Sequence, residues 1–151
     1  MIKKILVVFL FIMTSCGYQP LYKIDNNKNN FKIKEFQLSG DKNLGEKIFQ
    51  RLSLEIIKSD ESLDKLIIDS QKSIVETSKN LKGQTTSYRS SIQIKLSILN
   101  NEDDVLKKKI FSKDFLYNTK NNKFRLKEYQ TQIENNLINK IIEDINIYLS
   151  F

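Results

Sequence analysis

From Tyr88 to Ile98 the side chains alternate without a break. Tyr88, Ser90, Ile92, Ile94, Leu96 and Ile98 fall on one parity; Arg89, Ser91, Gln93, Lys95 and Ser97 fall on the other. Successive side chains of an extended chain point to opposite faces, so this segment predicts a strand with one dry and one wet face. Such a strand cannot stand alone. Its neighbours must extend the same dry face, and a second layer must cover it. Asn80 to Gly83 and Asn100 to Asp104 are rich in turn residues and bracket the strand. Leu63 to Thr77, with Leu66-Ile67-Ile68 and Ile74-Val75, predicts the strand before it, and Val105 to Tyr117 the strand after it. In the latter, Ile110 and Leu116 share one face, while Phe111, Phe115 and Tyr117 share the other.

Two segments have the helical period that the covering layer requires. After Ser39 or Asp41, either of which can cap, Leu44, Ile48, Leu52 and Ile56 recur every fourth residue, flanked by Phe49 and Ile57. This predicts a helix ending near Ser59-Asp60, with Gly45 weakening its start by about 1 kcal/mol relative to Ala. Asn118 to Asn122 then offers caps for a long last helix, striped by Tyr129, Ile133, Leu137, Ile141, Ile145 and Leu149 and widened by Ile138, Ile142 and Tyr148. Upstream, Phe31 and Ile33 alternate with Lys32 and Lys34, and Phe36 and Leu38 resume in the even phase, as in a strand with a bulge. The predicted fold is therefore α+β: a two-layer sandwich in the order β-α-β-β-β-α, with two helices on one face of a four-stranded mixed sheet. The first β-α-β unit predicts a parallel pairing through a right-handed crossover.

The chain begins with Lys3 and Lys4, a nine-residue apolar run from Ile5 to Met13, and then Thr14, Ser15 and Cys16. A basic start, a short apolar run and small residues make a secretory signal. The run is too short for a membrane-spanning helix, which needs roughly 20 apolar residues. Cys16 is the only cysteine, so no disulfide can form within the chain. Residues 17 to 30 begin Gly-Tyr-Gln-Pro-Leu-Tyr and become Asn-rich, which predicts a tether over 16–30 and a single domain over 31–151. Loss of Lys3 and Lys4 with the signal lowers the net charge from +7 to +5. Moderate basicity in an exported chain fits an acidic partner, or simply a Lys-rich composition.

The residue inventory argues against an enzyme. There is no histidine, no tryptophan and no spare thiol, and the four glycines form no phosphate-cradling loop. Asp60-Glu61 and Glu102-Asp103-Asp104 fall in solvated runs and make no catalytic pair. No catalytic residue, metal site, cofactor or nucleic-acid partner is expected. The wet face of the alternating strand, with Arg89, Gln93 and Lys95, is the candidate contact surface; a plain solvated sheet face is the competing reading. Lys107, Lys108 and Lys109 predict a charged, protected sheet edge.

A signal ending on cysteine resembles that of bacterial lipoproteins, with Met13 where that pattern usually has Leu. An ordinary secretory signal with an incidental cysteine is the competing reading. The resemblance implies that Cys16 becomes the acylated mature N-terminus, carrying chains such as palmitate. Cys16-Gly17-Tyr18-Gln19-Pro20-Leu21-Tyr22 further resembles the mature start of the LPS-assembly lipoprotein family LptE, whose alphaproteobacterial members begin Cys-Gly-Phe/Tyr-x-Pro-Leu-Tyr. Thr85 to Arg89, Phe115 to Asn118 and Tyr129 resemble later family segments. The final helix departs from the pattern, being rich in Asn, Glu and Ile where the family has Ala. The resemblance implies an outer-membrane lipoprotein facing the periplasm. It would plug and help assemble the LptD β-barrel and support lipopolysaccharide insertion into the outer leaflet. Gly17 is compatible with outer-membrane sorting, and Tyr18 and Tyr22 are candidates for interfacial or barrel contacts. On this reading Arg89, Gln93 and Lys95 would meet a polar lumen wall or a lipid A phosphate. The alternative is a periplasm-facing lipoprotein that binds a small ligand or supports a different lipid transporter.

Overall fold

The computed structural model describes residues 31–52, 54–57 and 64–150. The predicted signal, Cys16 and the tether lie outside the described residues. Strands β1 (Phe31–Ile33) and β2 (Glu35–Gly40) are followed by helix α1 (Lys42–Arg51) and strand β3 (Leu54–Ile56). Three long strands come next, β4 (Lys65–Lys79), β5 (Thr85–Leu99) and β6 (Val105–Asn118), and helix α2 (Lys123–Leu149) closes the chain. The main sheet has four strands in the order β2-β4-β5-β6; β2 runs parallel to β4, and the other neighbours are antiparallel. The predicted α+β architecture is the one observed.

The alternation of β5 sets the layers. Ile92, Ile94, Leu96 and Ile98 are buried, and in register with them Leu66 and Ile68 of β4 and Phe111 of β6 complete the apolar face. From above, α1 contributes Leu44 and Ile48, while α2 contributes Ile133, Leu137, Ile138, Ile141 and Ile145. The distal end of the core is closed by tyrosines. Tyr117 stacks on Tyr88 at 5.8 Å and meets Tyr129 edge-on at 5.8 Å. Its hydroxyl accepts from Ser90 Oγ at 3.1 Å and from Gln130 Nε2 at 3.0 Å.

Two predicted boundaries are corrected. The segment 31–38 is not one bulged strand: it breaks at Lys34, and β1 leaves the main sheet to pair in parallel with β3. The first helix stops at Arg51, well before Ser59-Asp60, because Leu52 turns extended (φ −74°, ψ 142°) while its N–H still bonds the Ile48 and Phe49 carbonyls. Leu54–Ile56 then satisfies its backbone against β1, and Ile56, the fourth member of the predicted stripe, is left 43% exposed. A run as short as Leu54-Glu55-Ile56 has no periodicity that separates helix from strand, so an available strand partner decides it. The strand expected over Leu63 to Thr77 is Lys65–Lys79; Leu63 lies outside the described residues.

Gly45 has a packing reason. A Cβ there would meet Ser70 Oγ at 3.2 Å and Leu38 Cδ2 at 3.5 Å, so the missing side chain lets α1 sit close on the sheet. Asp41 caps that helix, its carboxylate accepting from the Leu44 N–H at 3.1 Å.

Candidate functional surface

Both helices lie over the even face of β5, so the odd face is uncovered by them. Arg89, Gln93 and Lys95 all project from it. Lys95 stands six steps along the chain from Arg89, about 20 Å on a strand. They form a row down the central strand and not one pocket.

Each has cross-strand neighbours that a single-strand reading could not supply. Arg89 lies between Val75 and Leu116 and pairs diagonally with Asp114, Nε to Oδ2 3.8 Å, both side chains being exposed. Gln93 stands between Gln71 of β4 and Ser112 of β6, and Lys95 between Asp69 and Ile110. Arg89 therefore meets the Asp114 carboxylate, while Lys95 has Asp69 as its register neighbour on β4. An exposed ion pair such as Arg89–Asp114 contributes at most about 1 kcal/mol, but it neutralises the local field. Exposed Val75, Ile110 and Leu116 interrupt the polar residues. At the proximal end Lys65 bridges Glu35 at 3.1 Å and Asp103 at 3.7 Å, and the hydrogen bond to Glu35 holds its ammonium above its ordinary pKa. The face is mixed and nearly balanced in charge, better suited to a polar protein wall than to a cluster of phosphates.

The predicted basic edge is more specific than a solvated run. Lys107 and Lys109 lie on the helix side of β6, with ammonium groups 5.9 Å and 4.8 Å from the Tyr148 ring centroid. Lys108 takes the opposite parity, so both sides of the edge carry charge. Between α2 and the distal halves of β4 and β5 lies an open groove of about 320 Å³, lined by Lys72, Ile74, Ser90, Lys127, Gln130 and Glu134 among others. The Lys72–Glu134 ion pair, 3.4 Å, spans it. Among the described residues, no group of three or more His, Cys, Asp or Glu could hold a metal ion, and no helix is long and apolar enough to cross a membrane.

No family model and no curated protein matches the sequence. The fold does have solved counterparts. Rare lipoprotein B from Shewanella oneidensis superposes with a TM-score of 0.57 at 11% identity, covering 77% of this chain and 94% of that one. A minor lipoprotein from Acinetobacter baumannii gives 0.61 at 9% identity, covering 80% and 90%. At such identities the likeness is one of fold, and the fold is one that bacterial lipoproteins use.

Proposed function

We propose that this chain is a non-enzymatic lipoprotein, anchored through acylated Cys16 to the periplasmic side of the outer membrane, that plugs and helps assemble an LptD-like barrel for lipopolysaccharide insertion. The observation that carries this reading is the part of the sheet face that the two helices leave open around Arg89 to Lys95, polar and nearly balanced in charge, on a fold shared with solved lipoproteins. A barrel lumen presents polar side chains, so a plug needs a broad wet surface more than a pocket. Arg89, Gln93 and Lys95, with Asp114 and Asp69 beside them, have that character, and the exposed apolar residues between them add contact area. The signal and the Cys16–Tyr22 motif support the anchor and the family, since two or more acyl chains make stable membrane attachment.

The test is affinity purification through a C-terminal tag from mild-detergent extract. A large β-barrel protein should co-purify, and depletion of the chain should lower both assembled barrel and surface lipopolysaccharide. Recovery of the chain without any barrel overturns the plug reading. The small-ligand alternative would place its site in the groove beside Lys72 and Glu134, a volume within the range of ligand pockets. It predicts ligand-dependent protection of that groove in a chain that purifies without a barrel.

A further inference from the structure

The outer edge of β4 is covered over only its first part. β2 pairs with Lys65 to Ser70 and then leaves the sheet at Gly40. From Gln71 to Lys79 the strand is exposed, and among the described residues no strand pairs with this edge. The Ser70 carbonyl accepts from the Asp41 N–H at 2.7 Å on this side. The even-numbered residues Lys72, Ile74 and Glu76 therefore aim their N–H and C=O groups outward, ready to form a ladder. Pairing with β5 is regular up to Glu76 and then shifts register twice before Lys79, which bends the strand tip. A straight, free edge thus runs from Gln71 to Glu76.

We propose that this edge pairs antiparallel with the same edge of a second copy of the chain, about a two-fold axis at Ile74. In that register Lys72 of each copy faces Glu76 of the other, Ser73 faces Val75, and Ile74 faces itself. Both charge pairs are attractive, and the arrangement is self-complementary, as a two-fold contact must be. Ile74 and Val75, 52% and 48% exposed, gain cover. Moving the axis to Val75 would set Ile74 against Glu76 and carry the ladder past the bend. Both charges lie at the surface and keep partners within their own copy: Lys72 reaches the half-buried Asp41 at 3.6 Å and Glu134 at 3.4 Å, and Glu76 takes the Thr85 hydroxyl and reaches the exposed Lys79 at 3.3 Å. The opposite sheet edge, β6, carries Lys107, Lys108, Lys109 and Lys113 and would repel a copy of itself. The contact uses the edge and not the Arg89–Lys95 face, so a homodimer band and a co-purified barrel are read separately.

The experiment is short-span thiol cross-linking in membranes of cells producing the full chain. Outward-facing residues on such an axis have Cα atoms about 5.5 Å apart, within the reach of a direct disulfide. Ile74→Cys should give a homodimer band absent from the parent chain, which carries Cys16 alone, and absent from Ser112→Cys on β6. Within Ile74→Cys, adding Lys72→Glu or Glu76→Lys should abolish the band, because each variant sets like charges face to face. Co-producing the two should restore it. In the mixed pair the introduced glutamate of one copy faces the introduced lysine of the other, and the native Glu76 of the first faces the native Lys72 of the second. That restoration also shows that the variants fold. No band from Ile74→Cys, a band only to a different protein, or no restoration in the mixture overturns the proposal.

Discussion

Ile94 is the sharpest probe of the layer assignment. It lies at the centre of β5, fully buried, with Ser70 and Phe111 as its cross-strand partners and the helices above. Ile94→Ala removes three carbons, worth about 0.8 kcal/mol each in transfer, hence about 2.4 kcal/mol. The site is walled by strands on both sides, so it collapses poorly. The cavity contribution, about 24 cal/mol per Å³ of unrelaxed volume, then raises the total toward about 4 kcal/mol. Gln93, one residue earlier and exposed on the other face, is the internal control; Gln93→Ala should change stability by less than about 0.5 kcal/mol. Urea unfolding followed by far-UV circular dichroism measures both, and an unchanged denaturant slope confirms that stability alone moved. A loss below about 0.5 kcal/mol for Ile94→Ala, or an equal loss for Gln93→Ala, would refute the assignment of faces.

Three further outcomes follow from local geometry. Gly40 has φ +71°, and a Cβ there would run into the Ser70 carbonyl oxygen, whereas a Cβ at Gly83, φ +77°, would meet nothing within 4 Å among the described residues. Gly83→Ala should cost only the left-handed penalty of about 1–2 kcal/mol, and Gly40→Ala distinctly more; equal losses in urea melts would disprove the clash. The Ser70 hydroxyl is buried and has no hydrogen-bond partner among the described residues, so Ser70→Ala should be neutral or stabilising by about 1 kcal/mol, and a loss above that would reveal a partner. The Glu76 carboxyl is held below the ordinary glutamate pKa, first by the Thr85 hydroxyl and then by Lys79. Its small stabilising contribution is present above the unfolded-state value and is lost as pH falls through the folded one. In a carbon-detected NMR titration Thr85→Val should move that pKa upward, and an unmoved value would rule out the hydroxyl as its cause.

The elements that were legible in the sequence are those whose signal is local and long. β5 announces itself over eleven residues by parity, and α2 by a stripe from Tyr129 to Leu149; both are found where the pattern puts them. The failures cluster in 31–57, where four short elements share one stretch of chain. There the state of Leu54–Ile56 depends on Phe31–Ile33, more than twenty positions away, and no window of local sequence contains both partners. The candidate surface is legible only in part. Parity puts Arg89, Gln93 and Lys95 on one face, but not the residues that stand beside them on that face. Asp114 and Asp69, which offset Arg89 and Lys95, come from neighbouring strands at positions that only the register reveals. Charge read along one strand overstates its field, because a sheet face is a two-dimensional array and half of each residue's neighbours lie across the ladder. The same array explains why a balanced face can still be selective. A wall of the kind proposed would have to match the order of Arg89 and Asp114, and of Lys95 and its register neighbour Asp69, across strands as well as the spacing along them, and one with the signs reversed would meet like charges at those points.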